Sequence, residues 1–163
     1  MIIRALILVG ILWSHAAQAS EFKAGDLVIT SPWTHATREG AKAWGGFMVL
    51  TNTGKEDDRL IGAATDVSGS AEIHEIGILN GVVMWRPNNL GIPIKGGSSV
   101  TLRLFTDHHL VFMDLKQPLV AGQKIKGLLR FQRAGEVEIE YEVVPLGARG
   151  PAPATPRRVL DLR

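Results

Sequence analysis

The alternation of apolar and charged residues from Glu136 to Val143 limits the possible folds more than any other feature of the sequence. Apolar residues occupy every second position from Val137 onwards, and glutamates occupy the positions between them. Because successive side chains of a strand point to opposite faces, this period of two predicts a strand with one buried and one solvated face. The preceding segment, Lys124–Phe131, carries lysine and arginine at its polar positions and is followed by Ala134-Gly135. We therefore predict that the two segments form an antiparallel hairpin with cross-strand charge pairs.

Short segments rich in apolar and β-branched residues recur along the rest of the chain, separated by turn signals. They predict strands at Asp26–Thr30, Trp44–Thr51, Leu60–Thr65, Ala71–Leu79, Val82–Arg86, Val100–Phe105 and His109–Leu115. Asn80-Gly81 is the strongest turn signal, because both residues tolerate the positive φ that a two-residue hairpin turn requires. No sustained helical period is present. This spacing of strands predicts an all-β fold, a Greek-key β-barrel or sandwich.

Both ends of the chain are predicted to lie outside the folded domain. Residues 1–19 contain one early positive charge, Arg4, then an apolar run, and then Ala-Gln-Ala, which is the order of a cleaved secretory signal peptide. The apolar run, Ala5–Trp13, is shorter than the ~20 residues that cross a bilayer, so we predict no membrane span in the mature chain. Residues 146–163 are rich in proline and arginine and are predicted to form a flexible tail. The domain is therefore expected at residues 20–145, in a periplasmic protein.

The absence of cysteine and the near balance of charge exclude several classes of function. Without cysteine, the chain forms no disulfide and has no thiolate nucleophile, so a metal ion must be held by His, Met or oxygen ligands. The 18 Lys and Arg residues nearly balance the 16 Asp and Glu residues, which gives no reason to expect a nucleic-acid partner. The sequence also lacks a nucleophile elbow, a phosphate-binding loop and a helical zinc-protease motif.

Histidine and methionine residues near the predicted hairpin are the candidates for a metal site. His74 precedes the Asn80-Gly81 turn and Met84 follows it, so the two strands lie side by side. His109 begins a later predicted strand, with His108 beside it. Imidazole nitrogen and thioether sulfur are ligands that suit copper. A copper site built from these side chains is one hypothesis, and surface histidines with core-packed methionines are the alternative.

From Ser31 to Val143 the sequence resembles the periplasmic copper chaperone family PCu(A)C. The matching segments include, in order, SPWTHATREGAKAWGGFMVLTNTG, AEIHEI, NGVVMWRPNN and FMDLKQPL. The resemblance implies a cupredoxin-like β-barrel that binds one copper ion, as Cu(I) or Cu(II), near the barrel rim. It also implies transfer of that copper between periplasmic proteins, with Sco-like proteins and a cytochrome c oxidase subunit as partners.

The copper ligands that the resemblance implies are only half present in this chain. The family uses a histidine, a later methionine and a distal His-x-Met pair. The two histidines fall on His74 and His109, whereas the methionine positions hold Trp85 and Val111. A shift of one residue turns a strand side chain to the other face, so only a β-bulge brings Met84 to the position of Trp85.

Two further hypotheses stay open beside copper binding. In one, the chain has lost metal binding and acts as a periplasmic interaction module, with Trp85 as an aromatic contact. In the other, it is an enzyme that uses the two histidines, although no nucleophile is evident in the sequence.

Overall fold

A computed structural model describes residues 20–103 and 106–150, and every regular element in these ranges is a strand. The predicted all-β class is thus confirmed. The strands are β1 (Glu21–Ala24), β2 (Leu27–His35), β3 (Ala43–Asn52), β4 (Asp58–Thr65), β5 (Ser70–Leu79), β6 (Val82–Pro87), β7 (Ile92–Ile94), β8 (Ser99–Leu102), β9 (His108–Met113), β10 (Lys124–Phe131) and β11 (Gly135–Val144). The predicted signal peptide, the tail beyond Gly150 and the last two positions of the predicted strand Val100–Phe105 lie outside the described residues. Within the described ranges, no helix has the length and apolarity needed to cross a membrane.

The strands form one continuous sheet whose order departs from the order of the chain. The sequence of neighbours is β6-β5-β9-β3-β2-β11-β10-β4-β7, with β1 also paired to β2 and β8 to β3. Strand β3 changes partner along its length, since Ala43–Gly46 pairs with β9 and Met48–Thr51 pairs with β8. Strand β9 is thereby inserted between β3 and β5, which places the late histidines beside the earlier one.

Both predicted hairpins are confirmed. Strands β10 and β11 pair antiparallel, and Arg130 and Glu136 form an exposed ion pair across the hairpin. Strands β5 and β6 pair antiparallel through a turn in which Asn80 has a φ of +50° and Gly81 a φ of +80°. These values are the positive φ angles that the Asn-Gly signal predicts.

The observed strands differ from the predicted ones in several places. Strand β2 continues to His35 through Ser31-Pro32, which were predicted to end it, because a register shift between Thr30 and Trp33 places the proline in a bulge. Strand β9 ends at Met113, since the next residue, Asp114, has a φ of +54°. Strands β1 and β7 were not predicted, because segments of four and three residues are too short to display a period.

The core lies between the two halves of this curved sheet. Its fully buried side chains include Ile29, Leu50, Leu60, Leu110, Phe112, Leu129 and Tyr141. The indole of Trp44 stacks on Phe112 with ring centroids 4.2 Å apart, and the Tyr141 ring meets Phe112 edge-on. Because Leu110 and Phe112 of β9 face this core, His109 and Val111 of the same strand point to its other face. We call that surface of β6, β5 and β9 the outer face.

Substitution by alanine at two strand glycines should change the free energy of unfolding in opposite directions. A Cβ at Gly127 would lie 2.6 Å from Cε2 of the buried Tyr141 ring, whereas a Cβ at Gly62 would meet only Arg130, at 3.9 Å. We expect Gly127→Ala to lower the free energy of unfolding by about 1–3 kcal/mol through overpacking. The matched control Gly62→Ala should raise it by about 0.5–1 kcal/mol, since alanine loses less chain entropy than glycine. Urea denaturation followed by circular dichroism measures both changes, and equal effects would contradict this packing.

Candidate metal centre

His74 and His109 lie directly opposite each other on neighbouring strands. His74 of β5 is the cross-strand partner of His109 of β9, so both side chains project from the outer face. Their ring centroids are 5.7 Å apart, and the ring planes are inclined at 53°. The structure therefore brings together the two histidines that the family resemblance selects.

Trp85 covers one ring of this pair, that of His109. It is the cross-strand partner of Ile76, which lies on the same face of β5 as His74. Its ring reaches across β5 and meets the His109 ring edge-on, with centroids 3.8 Å apart. His109 is only 8% exposed although it projects from the outer face. The tryptophan at the family's first methionine position thus shields the imidazole from water.

Val111 occupies the other family methionine position and also belongs to this face. It follows His109 by two residues on β9 and lies opposite Glu72 of β5. Both positions that carry sulfur in the family are therefore next to the histidine pair in this chain, and both hold side chains that do not bind metal.

Met84 and His108 are not brought to the pair. Met84 lies opposite Gly77, and His108 lies opposite Glu75, so each projects from the face opposite to His74. The pairing of β5 with β6 runs in register from His74 to Leu79, without the bulge that Met84 requires. We therefore leave Met84 and His108 out of the proposed site.

Glu72 is a site residue that the sequence analysis missed. Its Oε2 atom lies 2.7 Å from Nε2 of His74, and the carboxylate is 43% exposed. The spacing Glu-x-His is the signal that was available, because residues two apart on a strand share a face. The spacing is informative only once the outer face is known to hold the second histidine.

One ring nitrogen of the pair is left unpaired among the described residues. Nδ1 of His109 is buried and has no hydrogen-bond partner among the described residues. Leaving a buried polar nitrogen unpaired costs about 1–3 kcal/mol, which binding of an ion would offset. Over the same residues, no group of three or more His, Asp or Glu side chains is arranged around a common metal position. The candidate metal ligands at this site are thus the two imidazole rings.

The separation of the rings fits one shared ion. A metal ion lies about 2 Å from an imidazole nitrogen, so two imidazoles on one ion have centroids on the order of 6 Å apart. The observed 5.7 Å agrees with this value. Imidazole suits copper and zinc, whereas Cu(I) is selected by sulfur ligands. Met113 lies on the same face of β9, but four residues beyond His109, which is too far along the strand for both side chains to bind one ion.

The electrostatics of His109 favour its neutral form, which is the form that binds metal. Burial lowers the pKa of His109 below its ordinary value, and the nearby His74 lowers it further. Both effects disfavour the imidazolium ion. At neutral pH, protons therefore compete less with a metal ion for the ring nitrogen of His109.

Two cavities of the described chain lie away from the histidine pair. One is lined by Ser31, Trp33 and Thr101, and a wider one by Phe22, Thr65 and Ile139. Neither cavity is lined by His74 or His109.

Comparison with known proteins groups this chain with PCuAC domains and lipoproteins. A family described as "Putative lipoprotein LpqE-like" matches residues 27–143. The "Putative lipoprotein Lxx21020" of Leifsonia xyli subsp. xyli is 32% identical over 116 residues, which are 71% of this chain and 68% of the relative. The match to lipoproteins fits an exported protein.

Two solved structures resemble the fold closely. The "apo PmoF2 PCuAC domain" superposes with a TM-score of 0.68 at 26% identity, covering 81% of this chain and 100% of that domain. The "Copper-bound PCuAC domain from PmoF2" superposes with a TM-score of 0.66 at 25% identity, covering 77% and 98%. These likenesses confirm the predicted cupredoxin-like architecture.

Because Trp85 covers the His109 ring, we expect the pKa of His109 to depend on Trp85. Trp85→Ala should raise the pKa of His109 towards its ordinary value, because burial is the main cause of its lowering. His74→Ala should raise it less, since the charge of His74 is the smaller cause. NMR titration of the ring protons measures both changes. Val83→Ala, an exposed change on the same face of β6, is the control.

The lowered pKa also fixes the sign of a pH effect on stability. Between the ordinary value of about 6.5 and the lower pKa of His109, the unfolded chain binds more protons than the folded one. The contribution of His109 to stability is therefore lost as the pH falls through that window, and a His109→Asn variant should lose less stability there. An identical pH dependence of urea unfolding in the two proteins would contradict the lowered pKa.

Proposed function

Since the chain belongs to the LpqE-like lipoprotein family of PCuAC type, we propose that it is a copper-binding chaperone that holds one copper ion between His74 and His109. The ion lies on the outer face, on the side of His109 that Trp85 leaves open. Copper is the cargo of the protein and passes to another protein by exchange of ligands.

One observation carries this proposal: two imidazoles face each other at 5.7 Å, and a buried nitrogen of one of them has no partner among the described residues. The copper-bound state of a similar PCuAC domain supports copper as the ion. With nitrogen donors and no thioether at the site, we propose that Cu(II) is bound better than in a family member with both methionines.

Release of the ion follows from the small number of protein ligands. Two imidazoles leave coordination positions of copper open, so a ligand from an acceptor protein binds before the first histidine dissociates. Trp85 limits this approach to one side of the pair, because its ring covers His109. We propose that the exchange takes place in the periplasm, with Sco-like proteins and a cytochrome c oxidase subunit as donors or acceptors.

A second candidate function is that of an interaction module without metal. The β5–β6 hairpin favours it, since Ile78, Val82 and Val83 near its tip are all more than 60% exposed. Clustered apolar side chains at a surface mark contact sites more often than isolated ones do. Trp85 itself is half-buried against His109, so the contact would be formed by its aliphatic neighbours.

Competition against a chelator of known affinity tests the copper proposal. The purified domain should take up one equivalent of copper, and the double variant His74→Ala/His109→Ala should retain less than a tenth of the affinity. Binding is measured separately with Cu(I) under a reductant and with Cu(II), followed by electron paramagnetic resonance. The matched control is His35→Ala, because His35 bonds to the carbonyl oxygen of Ala148 away from the pair. Equal affinities of the wild type and the double variant would favour the interaction module.

Restoring sulfur at the two family positions should change the preferred oxidation state. Trp85→Met/Val111→Met places thioethers on the face that holds the histidine pair. We expect the affinity for Cu(I) to rise at least tenfold, because soft thioether ligands favour the monovalent ion. The change in affinity for Cu(II) should be smaller. A control variant with methionine at Val83 should leave both affinities unchanged.

A further inference from the structure

We propose that Glu72 is a positioning residue that keeps the proton of His74 on Nε2 and so makes Nδ1 the copper-binding atom. The inference rests on the proposed function, since it assigns a role within the same site. It concerns a residue for which the family resemblance gives no role.

The contact between Glu72 and His74 determines where the proton lies. An ionised carboxylate accepts hydrogen bonds and donates none. At 2.7 Å from Glu72 Oε2, Nε2 of His74 must therefore carry the hydrogen. A neutral imidazole has one N–H, so Nδ1 retains the lone pair that a metal ion needs.

The strand geometry leaves Glu72 few other partners. Glu72 and His74 are neighbours on the outer face of β5, and the residue opposite Glu72 on β9 is the uncharged Val111. Among the described residues, Glu72 forms no ion pair except with His74. Glu75, by contrast, projects from the opposite face and pairs with Arg86 at 2.7 Å. The carboxylate of Glu72 is thus committed to the histidine.

This arrangement is the one by which proteins orient a metal-binding histidine. Donation of the second ring N–H to a carboxylate fixes the tautomer, fixes the ring orientation and raises the basicity of the binding nitrogen. Removing such a partner lowers metal affinity by about 10–100-fold. In a site with two imidazoles and no sulfur, the copper affinity depends strongly on the orientation of each ring.

The first part of the test uses the metal-free protein. Long-range ¹H–¹⁵N correlation spectra at about pH 8, where imidazole is neutral, report which ring nitrogen carries the proton. We expect His74 to be protonated on Nε2 in the wild type. Glu72→Ala should shift His74 towards the other tautomer, and Glu72→Gln should shift it less, because the amide oxygen still accepts a hydrogen bond. Glu75→Gln, an equal change on the other face, should have no effect.

The second part measures affinity for Cu(II) in the same variants. We expect Glu72→Ala to lower it about 10–100-fold, with Glu72→Gln intermediate and Glu75→Gln unchanged. A proton on Nδ1 of His74 in the wild type, or a tautomer unaffected by Glu72→Ala, would overturn this inference and leave copper binding by the histidines intact. If the wild type has the predicted tautomer but binds copper no better than the double variant His74→Ala/His109→Ala, the proposed function is overturned instead.

Discussion

The register in which β5 pairs with β9 is the constraint on which the candidate site depends. In this register His74 lies opposite His109, and a slip of one residue would turn one of the two rings to the other face. Core packing determines this register, because Ile73 lies opposite Leu110 and both side chains are buried. Packing of apolar residues on the inner face thus sets the geometry of the polar residues on the outer face.

The close approach of β3 reinforces this register. A Cβ at Gly46 would lie 2.9 Å from the Phe112 ring, so glycine lets β3 pack tightly against the core side of β9. Strand β9 is held between β3 and β5, whereas β6 lies at the end of the sheet. Trp85 is therefore contributed by an edge strand, and its position over His109 depends on the hairpin that joins β6 to β5.

Much of the fold could be predicted from the sequence, and less of the site. The alternation in β11 and the Asn80-Gly81 turn determine local structure, so both hairpins were predicted. The bulge at Ser31-Pro32 was missed, because it depends on the pairing of β2 with β3 and not on local sequence. His74 and His109 were selected by family resemblance, since no spacing within the chain states which strands become neighbours. Glu72 was missed for the same reason.

The chain thus keeps the two histidines that the family resemblance implies as copper ligands, and it has other residues at the two methionine positions. Trp85 and Val111 stand where the family has methionine. Trp85 covers the His109 imidazole, whose pKa is lowered by burial and whose buried Nδ1 has no partner within residues 20–103 and 106–150. Anomalous diffraction at the copper edge, from crystals of the copper-loaded protein, locates the ion directly. We expect one peak about 2 Å from a ring nitrogen of both His74 and His109. A copper peak at His35 or His108, with none between His74 and His109, would contradict copper binding by this pair.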